Sequence, residues 1–346
     1  MRKILILLLF LVIFAVPVNA ADFTAPPAPD SAEELMPVQT ENFGQDLWTV
    51  IKKGLRIVQP ELLEAAKLSA SLFAVLVLSG VVKGLPGSQN RVLDLVSVLA
   101  ISGLLLTQTH SMIRLAGETV HELTDYGKLL LPVMTAAMSA QGWTTSAAAL
   151  YAGTVAFNTV LMTLISKILI PAVYLYIALC VAGAATNEPG IHKIRDFLKW
   201  VSTWALKLIL YAFTGYMSIT GAVSGTADAA AVKAAKLSIS SMVPVVGGIL
   251  SEASETVIVG ASVVKSGIGI YGLITFCAIL ITPFLTIGIQ YLMLKMICAL
   301  CSGFQLKRPA ELIKDFSSAM GLLLGMTGTI SVLMLISTVC FMKGVS

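Results

Sequence analysis

The chain has 346 residues, of which 57% are hydrophobic and only 12% charged, and its formal net charge is +4. A soluble globular domain carries about 25% charged residues, so this composition excludes an ordinary soluble protein, and the lack of any Lys/Arg block excludes the usual nucleic-acid binders. The apolar residues form runs approaching membrane length, about 17–25 residues. We therefore predict an all-α, polytopic helical membrane protein.

The N-terminus is typical of a secretory signal peptide over residues 1–20. Arg2 and Lys3 form the positive region, Ile4–Val16 the apolar region, and Val18-Asn19-Ala20 a small-residue cleavage site. An uncleaved anchor is the alternative. In both cases the following segment begins on the extracytoplasmic side.

Three segments follow before the main hydrophobic mass. Residues 21–45 are rich in Pro and acidic side chains, which predicts a mobile extracytoplasmic linker. Residues 46–66 repeat apolar positions at helical spacing, as an amphipathic helix on the membrane or on a partner does. Residues 67–109 contain the first two predicted transmembrane helices, Leu68–Val82 and Val92–Gln108.

The remaining apolar runs extend almost to the C-terminus. The clear ones are Ser146–Ser166, Ile168–Ala185, Trp200–Val223, Gly267–Thr282, Phe284–Cys301 and Ala319–Phe341. Two further segments, Leu129–Gly142 and Met242–Gly260, are less apolar and carry a proline near their start (Pro132 and Pro244). We predict that these two are Pro-broken or re-entrant, buried among neighbouring helices.

Basic residues in the connections set the topology and the span count. Positive charge marks cytoplasmic loops, which places Lys83 and Arg91, the segment Thr186–Lys199 and the segment Gly303–Ser318 all in the cytoplasm. This holds only if both ambiguous segments cross the membrane. The prediction is eight to ten transmembrane segments.

An internal duplication organises the second part of the chain. The prolines Pro132 and Pro244 are each followed 39 residues later by another, Pro171 and Pro283. The tetrapeptide Ile194-Arg195-Asp196-Phe197 also matches Ile313-Lys314-Asp315-Phe316. These coincidences predict two helical repeats, residues 126–223 and 238–341, in the same orientation, which is a parallel repeat. Paired broken helices are substrate sites in transporters, but duplicated helices also pack as plain scaffolds.

Motifs for catalysis or cofactor binding are lacking in this sequence. The Gly267-x-Gly269-x-x-Gly272 pattern opens a hydrophobic run without a preceding Rossmann strand, which favours close helix packing over a dinucleotide site. No metal-binding or nucleophile motif is present. We predict no enzymatic activity, no cofactor and no metal.

Ionisable residues within the apolar segments are the candidates for a polar path. Each costs about 2.5–3.5 kcal/mol near the bilayer centre. Lys207 and Lys295 lie inside clear runs, while Glu252 and Glu255 share one face of Met242–Gly260. Snorkelling of Lys207 and an interfacial position of the glutamates are the alternatives. Pro132, Pro171, Pro244 and Pro283 are the candidate broken-helix positions.

The second repeat carries a family resemblance. The segment Lys236–Gly248 contains Met242-Val243-Pro244-Val245, and it continues through Leu250–Val257, which contains both glutamates, to Ser266–Gly269 and Pro283. This pattern resembles the stage III sporulation protein AE family of endospore-forming bacteria. The signal peptide, acidic linker and hydrophobic remainder agree with that family over nearly the whole chain.

The resemblance implies a membrane subunit of a multi-protein, secretion-like channel complex in the mother-cell membrane around the engulfed forespore. Its implied partners are other membrane subunits and a separate ATPase, with no nucleic acid. An autonomous small-solute permease, with its site at the Pro-broken segments, is the alternative.

Overall fold

The structure is a computed structural model that describes residues 25–37, 43–84, 90–140, 144–186, 188–219, 267–301 and 307–345. The predicted signal peptide and the segment Met242–Gly260 lie outside the described residues. Regular structure in the described ranges is entirely helical, which confirms the predicted all-α class.

The helices are named here in chain order. They are α1 (Asp30–Glu33), α2 (Phe43–Ile57), α3 (Gln59–Lys83), α4 (Asn90–Ala140), α5 (Thr144–Leu164), a π-helical turn (Ile165–Leu169), α6 (Ile170–Thr186), α7 (Pro189–Ile219), α8 (Gly267–Cys301) and α9 (Lys307–Val345).

Helix α9 forms the axis of the bundle. It packs against α4, α5, α6, α7 and α8, and its membrane-length segment Lys307–Met342 is buried almost throughout. A helix that is apolar on all sides must be covered on all sides. Its sequence meets that condition, with buried hydroxyls such as Thr329 and Ser337 bonded to carbonyls one turn earlier in the helix.

Helices α4 and α9 run parallel to each other, and α8 runs antiparallel to both. A Cβ added at Gly269 of α8 would overlap Met342 of α9, whereas Ser317 of α9 donates to the carbonyl of Tyr291. Likewise the Tyr126 and Phe276 rings meet edge to face with centroids 5.1 Å apart, on α4 and α8. These close approaches use small residues where two helices meet.

Helices α3 and α4 form an antiparallel hairpin. Ser97 donates to the Ser79 hydroxyl at 2.7 Å, and Lys83 pairs with Asp94 at 3.1 Å near the turn. Large apolar side chains such as Leu78 and Leu99 remain exposed on its outside, as expected for helices that face lipid or another protein.

Several runs predicted as separate spans are joined in the structure. Helix α5, the π-helical turn and α6 form one continuous helical segment through Pro171, and α8 continues through Pro283. Helix α4 continues through Pro132 to Ala140, so no break or re-entrant turn is seen there. Proline removes one backbone hydrogen bond, but the packed neighbouring helices hold the chain helical on both sides.

The described residues consequently contain five helical segments long and apolar enough to cross a membrane, instead of the eight to ten predicted for the whole chain. They are Gln59–Lys83, Val92–Met138, Ala147–Thr186, Gly267–Cys301 and Lys307–Met342. Two predicted runs are joined within each of α4, α5–α6 and α8, the predicted span Trp200–Val223 falls mainly in α7, which is not among the five, and Met242–Gly260 lies outside the described residues.

The segment predicted as a mobile linker packs onto the bundle where it is described. Ala32 and Leu35 are fully buried. The Ala28 amide donates to the Tyr271 hydroxyl, and Ser31 donates to Glu122. Helix α2 then lies along α8, with Gly54 against Ile281. Few but well-placed apolar residues are enough to order this acidic, Pro-rich sequence.

Candidate functional site: a buried ion-pair network

Arg195 is the centre of a charge network between α7 and α9. Its side chain is only 8% exposed, and its guanidinium pairs with Asp315, which is 10% exposed. The same guanidinium reaches Asp196 at 3.0 Å and Glu311 at 3.4 Å. A planar guanidinium with five donors suits such multiple pairing, which a lysine ammonium would not reproduce.

Two further contacts extend the network along the same helix pair. The His192 Nδ1 atom lies 3.6 Å from the Glu311 carboxylate, and Lys199 donates to the Ser318 hydroxyl at 3.0 Å. As the residue number of the contact on α7 rises, the residue number of its partner on α9 rises too, so the two helices run parallel.

Helix α6 closes the network from a third side. Tyr176 and Cys180 are buried one turn apart on α6, and both interact electrostatically with Arg195 and Asp315. The short α6–α7 connection brings these helices together, and Gly183 lies against His192 across it. Proline at the first position of α7 suits the start of a helix, where its missing N–H is not needed.

The electrostatics keep the central group charged. Burial by itself would lower the pKa of the Arg195 guanidinium, but Asp315 and Asp196 outweigh it and raise that pKa above its ordinary value. Burial is also the largest influence on Lys199, and it lowers the pKa of that ammonium. The positively charged guanidinium lies among the three carboxylates and offsets part of their negative charge, which a bound cation would otherwise have to do. This arrangement joins α7 to α9 through buried charges.

Of the two sequence-predicted lysines, Lys295 lies close enough to the network to act electrostatically on Lys199, whereas Lys207 lies two turns beyond Lys199 on α7. Lys295 is exposed on α8, with its ammonium 5.7 Å from the centre of the Tyr291 ring. Lys207 is partly exposed on α7. In the described part of the chain neither lysine forms an ion pair, and the structure does not bring them together. Their role in a polar path stays a prediction.

The predicted broken-helix prolines are dispersed as well. Pro132 and Pro171 are exposed, whereas Pro283 is buried in α8. Glu252, Glu255 and Pro244 lie outside the described residues.

Sequence reasoning missed Arg195 and Asp315 as a pair. Both residues lie next to apolar runs and not within them. The criterion of an ionisable residue inside an apolar run therefore did not identify them. One signal was present, because Asp315 and Arg195 belong to the two matching tetrapeptides. The repeat brings those tetrapeptides into contact.

The comparisons with known proteins match this chain over most of its length. The family described as Stage III sporulation protein AE matches residues 31–344. The chain belongs to this family. Membership in the stage III sporulation protein AE family gives the chain a role in sporulation, and its apolar helices make it a membrane protein.

One characterised relative is the "Stage III sporulation protein AE" of Bacillus subtilis (strain 168). It is 26% identical over 180 residues, which cover 52% of this chain and 45% of the relative. The match therefore spans about half the length of that protein. No solved structure matches the chain.

Proposed function

We propose that this chain is an integral membrane subunit of a multi-protein, secretion-like channel complex that links the mother cell and the forespore during endospore formation. It acts without enzymatic activity of its own, in the mother-cell membrane around the engulfed forespore. Its partners are other membrane subunits and a separate ATPase.

The observation that carries this proposal is the position of α9. A helix buried over nearly its whole membrane-length segment fills the axis of the described bundle. A single bundle of this kind has a packed core and not an open centre. A passage for solutes would therefore form between this chain and its neighbours, which makes the chain a subunit of an assembly.

The ion-pair network supports the same reading. Buried ion pairs contribute little net stability compared with apolar packing, and their best-attested use is to fix a register between helices. Here the network fixes α7 against the central α9 at the predicted cytoplasmic end. A fixed register between α7 and α9 holds the outer surfaces of α4 and α7 at fixed positions relative to each other. Contacts with other subunits require this.

The test is purification of the tagged full-length chain from sporulating cells in mild detergent. We expect it to co-purify with several different membrane proteins made only during sporulation and with an ATPase. The matched variants are Arg195→Ala, which breaks the network, and Lys193→Ala, which removes an exposed charge on the same helix. Only Arg195→Ala should reduce the recovered partners.

The competing function is an autonomous small-solute permease. Recovery of a monomer or homodimer that moves a solute when reconstituted alone in liposomes would overturn the assembly proposal. Loss of that transport on substitution of Lys207 or Lys295 would then support the permease.

A further inference from the structure

Helix α4 carries a row of charged and polar residues that remain exposed among the described helices. The members lie three or four positions apart, so they share one helix face, and they are exposed: His110, Arg114, Glu118, His121, Asp125 and Lys128. Arg114 pairs with Glu118 at 3.5 Å and Lys128 with Asp125 at 2.8 Å. We call this set the α4 charged row. From first to last it is about 27 Å long at the helical rise of 1.5 Å per residue, close to the thickness of a bilayer core.

The row lies beside helices that are apolar enough to span the membrane. The His110 ring and the Tyr174 hydroxyl are hydrogen-bonded at 3.0 Å, which places the start of the row against α6. Gly117 faces Ile170, and Gly127 faces Met334 of the central α9. The row therefore runs alongside the middle of the bundle and not beyond its end.

At the same height, α6 and α7 expose large apolar side chains, together with the exposed Lys167 and the partly exposed Lys207. Helix α7 is antiparallel to α5 and α6, because His192 lies by Gly183 and the Phe213 ring packs on Phe157. Residues midway along α7 thus lie level with Ile168–Ile170, which is the height of Gly117. The exposed large side chains there are Ile168, Leu175, Trp204 and Leu208. We call this set the α6–α7 apolar face.

Other polar groups lie at the height of the charged row. By the antiparallel register of α3 and α4, the exposed pair Glu64–Lys67 of α3 is level with the start of the row. Ser31 of α1 donates to Glu122, at the margin of the row. At this height α4 thus exposes a row of charges, whereas the exposed surface of α6 and α7 is mainly apolar.

We propose that the α4 charged row faces water at membrane depth and forms part of the wall of the conduit, while the α6–α7 apolar face meets lipid. This rests on the proposed function. A charged side chain in contact with lipid costs about 2.5–3.5 kcal/mol near the bilayer centre, and intramembrane charges accordingly face protein or water. Internal pairing balances the row's two basic and two acidic residues, so the wall fits water-soluble solutes of either charge.

The test is thiol accessibility in native membranes from sporulating cells. Ser111→Cys, Arg114→Cys and His121→Cys place thiols on or beside the charged row, and Ile168→Cys, Leu175→Cys and Leu208→Cys place them on the apolar face at matched height. The probe is a small membrane-impermeant methanethiosulfonate. The unmodified chain, with its five cysteines, supplies the background.

We expect the charged row to react about tenfold faster than the apolar face in membranes, because a thiolate is the reactive form and apolar surroundings suppress it by about tenfold per pKa unit. The two sets should react alike after solubilisation in detergent. Equal reactivity in membranes would place this height outside the bilayer and overturn the inference. Failure of the row to react in membranes would also overturn it.

The result can be separated from the fate of the proposed function. If the row reacts as expected but the chain purifies without other subunits, the conduit assembly is wrong and the water-facing row stands. If the partners co-purify but the row is unreactive, only the wall assignment is wrong.

Discussion

Lys199 hydrogen-bonds Ser318 at 3.0 Å, and these residues are 119 positions apart. The same spacing separates the matching tetrapeptides that begin at Ile194 and Ile313. Positions that the predicted duplication makes equivalent thus touch each other, on two helices that run parallel. This is the contact that two copies make across an axis lying between them along the membrane normal. The Arg195–Asp315 pair lies one turn away on the same interface.

Removing Arg195 should destabilise the bundle strongly. Arg195→Ala leaves the buried Asp315 carboxylate without its main partner, and breaking one side of a buried pair costs about 3–5 kcal/mol. The measurement is the temperature at which the detergent-solubilised chain loses its monodisperse elution peak. Lys193→Ala, on the same helix but exposed, should change stability by less than about 0.5 kcal/mol.

The double variant Arg195→Met/Asp315→Leu sharpens this test. Apolar residues of similar volume can replace a buried ion pair at little cost, so we expect it to recover most of the stability lost in Arg195→Ala. An unchanged melting temperature in the single variant would contradict the burial of the pair.

The fold class and the grouping of basic segments at one end of the bundle follow from local signals in the sequence. Apolar runs reveal membrane helices because lipid offers the backbone no hydrogen-bonding partner. Their division does not follow, since Lys167 and Pro283 interrupt the hydropathy pattern inside helices that continue. The Arg195–Asp315 pair does not follow either. Its energy comes from two residues 120 positions apart, which only the packing of α7 on α9 brings together.

The α3–α4 hairpin should be captured by a disulfide. The Ser79 and Ser97 hydroxyls are 2.7 Å apart, which brings the two side chains within the reach that a disulfide needs. Ser79→Cys/Ser97→Cys should cross-link on mild oxidation in membranes, detected as two joined fragments after proteolysis between α3 and α4. Ser79→Cys/Ser102→Cys, with the second thiol more than a turn further along α4, should not. Equal cross-linking of both would mean that the register is different.

Gly153 should tolerate no larger side chain. A Cβ there would overlap the Tyr216 ring, whose hydroxyl donates to the Ala149 carbonyl at 2.8 Å. Gly153→Ala therefore forces this ring to move, and overpacking of this kind costs about 1–3 kcal/mol. Melting in detergent measures the effect.

Gly215 is the matched control for this prediction. It lies next to Tyr216 on α7, and a Cβ added there meets nothing within 4 Å. Gly215→Ala should be neutral or stabilise the helix by up to about 1 kcal/mol. A larger loss for Gly215→Ala than for Gly153→Ala would contradict the packing of α5 on α7.

The basic end of the bundle should lie in the cytoplasm. The parallel register of α7 and α9 puts the α6–α7 and α8–α9 connections at one end, where Lys193 and Lys307 are exposed. Ala28, just before α1, donates to Tyr271 near the start of α8, and α1 hence lies towards the other end. Because positive charge is retained on the cytoplasmic side, an impermeant maleimide applied outside non-sporulating cells that express the chain in their plasma membrane should label Glu33→Cys and neither Lys193→Cys nor Lys307→Cys. Permeabilised cells should show labelling of all three. External labelling of either lysine position would reverse the orientation of the bundle, and the predicted topology with it.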